Sequence, residues 1–203
     1  MRNLDLTGED KIRIRAGIQG KYAKVAASPE GLFQYPTGKA GLRALDYNVE
    51  LIEVIPEEVA ASSCGVGNPF SLGTINEGEA VLDIGCGAGV DTLIAAIVVG
   101  QKGRIVGIDL ISEMLERARE NLEKTSLNNV TFQEASAEDL PFPDRSFDVV
   151  ISNGVFNLIP DKVKALKEVF RVLKPFGRLM IADQVLTLKP PEDTRSMVEN
   201  WAR

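Results

Sequence analysis

The chain contains no histidine, and that single absence removes a large part of enzyme chemistry. No imidazole base, histidine-assisted nucleophile or histidine-ligated metal can be assembled from its residues. Cysteine is nearly as scarce. The 2 that occur, Cys64 and Cys86, match neither a redox CxxC nor a zinc ribbon, so no metal site and no disulfide scaffold is expected, only reduced cytoplasmic thiols. No window approaches the roughly 20 apolar residues that a bilayer-spanning helix requires, and the N-terminal MRNLDLTGEDKIRIR lacks the apolar stretch of a secretory signal. A soluble, cytoplasmic protein with no membrane partner is therefore expected. Positive charge is also in deficit. With 23 Lys and Arg against 29 Asp and Glu, the net charge of -6 argues against a broad phosphate-binding surface, and so against nucleic acid. A small-molecule ligand remains.

What is present reads as one globular unit: 203 residues, 44% of them hydrophobic, enough for a real core. From Val81 onward, β-branched runs alternate with helical patterns. Strands are predicted at 80–84, 104–109, 130–134, 147–152 and 177–183, and their continuous apolar character indicates a parallel sheet with helices on both faces. A helix is expected over 90–99, with Asp91 in its first turn. A second is expected with Ser112 as N-cap and Met114, Leu115, Ala118 and Leu122 on one face. A third has Pro160 in its first turn and stops before Pro175. Residues 1–79 differ, with helices around 8–26 and 47–62 joined by the turn-rich SPEGLFQYPTGKAG. They read as a helical cap on an 80–203 core rather than as a separate domain, and the basic residues between Lys11 and Lys24 read as a solvated helix face.

The most informative stretch is VLDIGCGAGVD, residues 81–91. A dinucleotide fingerprint needs GxGxxG, but the glycines here are Gly85, Gly87 and Gly89, with Val at position 90, and no GK[ST] closes a phosphate loop. Asp83 precedes them at the strand end, where a carboxylate repels a diphosphate and attracts a cationic group. The second strand ends in Asp109, placed to accept the two hydroxyls of a ribose. Ribose recognition alone does not separate a nicotinamide cofactor from other nucleosides; the pairing with Asp83 favours a positively charged one. Each residue has a plainer reading. Gly87 is equally explained by a tight turn, Asp109 by a helix N-terminus, Glu138 by solvent and Cys86 by packing.

Taken in order, DIGCGAG, Asp109, SAEDLPF and SNGV resemble the class I S-adenosylmethionine-dependent methyltransferases. The resemblance implies a Rossmann-like α/β fold with sheet order 3-2-1-4-5, a cap, and S-adenosyl-L-methionine as cofactor, with S-adenosyl-L-homocysteine as product. By the same resemblance Asp83, Gly85, Cys86, Gly87 and Gly89 hold the methionine moiety, and Asp109 the ribose. Leu110 and Met114 flank the adenine, and Ser136, Ala137 and Glu138 border its edge. Ser136 stands where many relatives have Asp, which shares adenine recognition with Glu138. Asn153 falls in the acceptor-facing loop and is the candidate for shaping the mouth of the site. If a base is needed, Tyr22, Tyr35 or an acid near the pocket mouth must serve, although such tyrosines are more often hydrophobic lid residues with a polar tip.

Within that superfamily GVGNPFSLGTI, SNGVFNLIPDK and FRVLKPFGRLMIAD are similar to arsenite methyltransferases. In their pattern cysteines stand where this chain has Val66 and Gly154, so three soft thiolates cannot be gathered from this sequence and arsenite is rejected as substrate. The expected reaction is in-line methyl transfer to another small molecule. A non-catalytic cofactor-binding module and an NAD-linked oxidoreductase are the alternatives. Two further strands usual in the family are not legible after the fifth, where TLKPPEDTRSMVENWAR reads as a turn and a short helix from about Pro191. A reduced sheet, or a homodimer through the fifth-strand edge, is therefore expected.

Overall fold

The computed structural model describes residues 6–185 together with Val198 and Trp201. Five strands form one sheet: β1 (Ala80–Ile84), β2 (Arg104–Asp109), β3 (Val130–Glu134), β4 (Phe147–Asn153) and β5 (Leu173–Ala182). Every pairing is parallel and the spatial order is β3-β2-β1-β4-β5, the order that the family resemblance implies. The continuous apolar runs are explained by alternation across the sheet. Val81, Ile105, Val149 and Ile151 enter one core with Leu93, Ile94 and Ala96, whereas Leu82, Ile84, Val106, Ile108 and Val150 enter a second core with Ala165, Val169 and Val172. The first group of helical residues belongs to α5 (Val90–Val99) and the second to α7 (Lys162–Val172), so the sheet is covered on both faces.

Residues before β1 form α1 (Gly8–Ala27), α2 (Gly38–Ala44), α3 (Val49–Val54) and α4 (Glu57–Ala60). Leu42, Tyr47, Ile52 and Val59 from this stretch join the same core as Val81 and Val149. The N-terminal stretch and the sheet thus share one interior. α1 is opened by a reciprocal cap in which Thr7 and Asp10 satisfy each other's backbone N–H.

Several boundaries differ from the sequence expectation for identifiable reasons. The helix expected around 47–62 is interrupted where Pro56, without an N–H, becomes the N-cap of α4. α2 forms inside the stretch expected to be turns, because burial of Gly41 and Leu42 outweighs the poor helix propensity of glycine. Ser112 is not the N-cap of α6 (Ser112–Glu123). That place belongs to Ile111, whose N–H is held at 3.0 Å by Asp109, while the Ser112 hydroxyl turns to Glu113. Pro160 lies ahead of α7 rather than in its first turn, and Asp161 caps it by accepting from the Lys164 N–H at 2.9 Å. β5 begins at Leu173, earlier than expected, because a register shift around Phe176, at φ 65°, allows pairing to resume at Arg178. The helix expected from Pro191, and any strand beyond the fifth, fall outside the described residues.

Candidate active site

The C-terminal ends of β1, β2 and β4, together with one face of α1, enclose a cavity of about 330 Å³. Its floor is the loop between β1 and α5. Gly85 and Gly87 adopt φ of 71° and 52°, a region that side chains rarely enter. At Gly85 the approach is also steric, since a Cβ there would lie 2.2 Å from Val155 Cγ2, whereas at Gly87 the same space is open. Four of the five N–H groups of the loop 85–89 are spent inside the protein. Gly85 and Cys86 both donate to the Ile108 carbonyl, at 2.8 and 2.9 Å, Gly87 donates to Asp109 Oδ2 at 2.9 Å, and Gly89 donates to the Cys86 carbonyl at 2.8 Å.

Of the residues singled out from sequence, Asp83, Gly85, Cys86, Gly87, Asp109, Leu110, Met114, Ser136, Ala137, Glu138 and Asn153 all line this cavity, as do Tyr22 and Tyr35. Gly89 does not. It is the N-cap of α5 at φ 84°, and a Cβ there would meet Phe132 Cζ at 2.8 Å, so its small size serves packing against β3 rather than a ligand.

Three carboxylates surround the floor, Asp83 buried and Asp91 and Asp109 half-buried. Asp83 is 2% exposed and accepts a hydrogen bond from Thr92 Oγ1 at 2.6 Å; burial, with Asp91 nearby, raises its carboxyl to about 8. Burial also raises Asp91 and Asp109, opposed at Asp109 by the N–H groups of Ile111 and Gly87. Glu138 is less free than the sequence implied. Its oxygens accept from Arg15 at 2.9 Å and from the Asp161 N–H at 2.9 Å, while Ser136 Oγ accepts from the Glu138 N–H. Arg15 therefore lines the cavity wall while its side chain stays 55% exposed.

Asn153 is a hub. Its Oδ1 accepts from the Val66 and Gly67 N–H groups at 2.9 and 3.1 Å, and its Nδ2 donates to the Gly67 carbonyl at 2.8 Å and to Asp91 Oδ2 at 2.9 Å. With its polar atoms so engaged, it positions the 65–67 segment. The phenols are held protonated: burial pushes Tyr35 up to about 12, and burial followed by the neighbouring Cys64 pushes Tyr22 well above its ordinary value. Tyr35 donates to the Cys64 carbonyl at 3.0 Å.

The methyltransferase-domain pattern matches residues 75–203, which is more than half of the chain. The chain belongs to the methyltransferase-domain family. Within it, the chain falls in the class I S-adenosylmethionine-dependent, arsenite methyltransferase-like group: it is 39% identical over 200 residues to an arsenite methyltransferase of Halobacterium salinarum, covering 92% of this chain and 51% of that protein. The chain thus spans about half the length of the curated relatives it matches. Among solved structures it is similar to an arsenic(III) S-adenosylmethionine methyltransferase from Chlamydomonas reinhardtii, at TM-score 0.60 and 35% identity, covering 79% of this chain and 54% of that one. It is also similar to a S-adenosylmethionine-dependent methyltransferase from Aquifex aeolicus, at TM-score 0.54 and 29% identity, covering 77% and 79%.

For this methyltransferase-family chain, sequence reasoning passed over four cavity or network residues. Asp91 reads only as a first-turn charge and Arg15 only as part of a solvated basic face; Thr92 and Tyr47 carry no signal of their own. Asp91 directly follows the glycine loop, and that adjacency was the available clue. No helix among the described residues is long and apolar enough to cross a membrane.

Proposed function

We propose that this chain binds S-adenosylmethionine in the cavity and transfers its methyl group to a small molecule other than arsenite. One observation carries the reading: four of the five N–H groups of the loop 85–89 are spent inside the protein, while the walls present the carboxylates of buried Asp83 and half-buried Asp91 and Asp109. A cationic ligand offsets the cost of burying those charges, and a diphosphate adds to it. Each Asp109 oxygen accepts one backbone N–H and keeps a lone pair for a ribose hydroxyl. Alignment of acceptor and methyl carbon is the main catalytic contribution, an effect that reaches roughly 7–11 kcal/mol in favourable cases.

The acceptor side supports the exclusion of arsenite. A Cβ on Gly154 would lie 3.3 Å from Val66 Cγ2, so the two positions face each other and are filled with hydrocarbon. Burial pushes the Cys64 thiol up to about 12, which keeps it protonated and a poor metalloid ligand. Location in the cytoplasm and pairing through the β5 edge remain part of this proposal.

Calorimetric titration with S-adenosylhomocysteine and with NADH decides the cofactor. Tight binding of the former that weakens at least about tenfold in Asp109→Ala, the effect of losing a charge-assisted contact, is expected. Preferential NADH binding, or unchanged affinity in the variant, would refute it.

A further inference from the structure

The glycine loop divides the cavity. Asp109, Met114 and Ser136 line the side toward β2 and β3, while Asp91, Asn153, Val66 and Gly154 line the side toward β4. On the second side Asp91 is the only carboxylate among the described lining residues, and the hydrogen positions around it can be counted. Asn153 Oδ1 accepts from two backbone N–H groups, which fixes the amide so that Nδ2 faces Asp91. The two Nδ2 hydrogens have three acceptors in reach, the Gly67 carbonyl at 2.8 Å, Asp91 Oδ2 at 2.9 Å and the Tyr47 hydroxyl oxygen at 3.1 Å, of which the first two are the shortest. Tyr47, 5% exposed, has Asp91 Oδ1 at 2.8 Å and the Gly67 carbonyl at 3.1 Å; the shorter, charged acceptor takes its hydroxyl hydrogen. Asp91 thus meets a donor on each oxygen, the arrangement of an ionised carboxylate, and it lies in the first turn of α5, where the helix favours negative charge.

The remaining wall acids serve as anchors: Asp83 with Thr92, Asp109 with two backbone N–H groups, Glu138 with Arg15 and the Asp161 N–H. Among the described wall residues, then, every carboxylate is engaged and Tyr22 and Tyr35 keep their protons. Tyr47 and Asn153 donate to the two Asp91 oxygens, which opposes its protonation and favours a fixed negative charge over a proton acceptor there. That charge stands ready to face a methyl acceptor that becomes positive.

We infer that the methyl acceptor is a neutral, mainly apolar molecule whose own lone pair attacks, such as a thioether, selenide or tertiary amine, and which leaves as an onium cation facing Asp91. This deepens the S-adenosylmethionine reading and rests on it. In the transfer, the acceptor's lone pair forms the bond to the methyl carbon. The bond from that carbon to the sulfonium sulfur breaks with its electron pair remaining on sulfur. The cofactor becomes a neutral thioether and the positive charge passes to the acceptor; no proton moves. Tyr47 and Asn153 are positioning residues that hold Asp91 ionised and oriented.

The test uses a product-like cation. The chain is saturated with S-adenosylhomocysteine and titrated with trimethylphenylammonium and with its neutral carbon analogue tert-butylbenzene. The cation is expected to bind at least about tenfold tighter, the scale of one charge contact at intermediate dielectric. Asp91→Asn, which keeps the side-chain shape, is titrated at S-adenosylhomocysteine concentrations that saturate the variant itself, and is expected to bring the two probes to within about twofold. Should that variant not fold, Tyr47→Phe decides, with the preference expected to fall about threefold as the Oδ1 donor is lost. Equal binding of the two probes by the unaltered chain, or an undiminished preference in the folded variant, overturns the inference while leaving the cofactor reading intact. Failure of S-adenosylhomocysteine to bind overturns both.

Discussion

Asp83 offers a quantitative test of the electrostatics. Its carboxyl has an ordinary value of 3.8, lies beneath the glycine loop at 2% exposure, and is raised to about 8 by burial first and by Asp91 next. Between those values the folded chain binds a proton that the unfolded chain has lost. Stability without ligand should therefore be greatest near pH 4 as far as Asp83 is concerned, fall as pH rises, and level off above about 8. At about 1.36 kcal/mol per pH unit, the interval from pH 6 to pH 8 is worth up to about 3 kcal/mol, and the whole shift up to about 6 kcal/mol, with relaxation reducing both. Asp91 and Asp109 are raised in the same direction and add a background slope, so the comparison must be with Asp83→Asn, which keeps the shape and removes the charge. Urea melts of both proteins at pH 6 and pH 8 are the assay. The variant should lose at least about 1–2 kcal/mol less than the parent across that interval. Parallel pH dependence in the two proteins would show that Asp83 does not hold its proton in the folded state. The same assignment predicts that binding the cationic cofactor at pH 7 releases close to one proton, measurable by calorimetry in two buffers of different ionisation enthalpy, and that Asp83→Asn releases none.

Further outcomes follow from the loop and the cap. Gly85→Ala places a Cβ 2.2 Å from Val155 Cγ2 at φ 71°, whereas Gly87→Ala meets only the backbone restriction. The first should cost more than about 3 kcal/mol and the second about 1–2 kcal/mol in chemical denaturation; equal costs would contradict the geometry. Arg15→Ala removes the ion pair to Glu138 from a side chain that is 55% exposed, so stability should change by about 1 kcal/mol or less. Because Arg15 ties α1 across the cavity, stopped-flow displacement should nevertheless show faster release of S-adenosylhomocysteine; an unchanged rate would exclude α1 as part of the closure. Incubation with arsenite should yield no methylated product from this chain.

Much of the fold was legible because it rests on local patterning. β1, β2 and β3 lie where their apolar runs placed them, since a strand buried on both faces has no polar alternation to confuse it. Positions 83, 85, 87, 109 and 153 were brought to one cavity because strand ends and glycine spacing in a parallel α/β sheet converge by topology. Boundaries failed where tertiary contacts chose among near-equal local options: Asp109 captured the Ile111 N–H and displaced Ser112 as cap, and buried Leu42 drew a glycine-containing segment into helix. Gly89 and Gly87 are alike in sequence, and only the position of Phe132 separates the packing glycine from the floor glycine.

What the sequence determined by itself was the parallel strands and the acidic glycine loop, because the forces behind them act between near neighbours or repeat with a fixed period; the strand order came from the family resemblance. The state of the site was decided by the tertiary structure alone. Tyr47 meets Asp91 across 44 residues, Asn153 holds Gly67 across 86, and Arg15 reaches Glu138 across 123. Contacts at such separations leave no periodic trace in the chain, and burial, which sets whether each carboxylate is charged, exists only once the chain has closed around it.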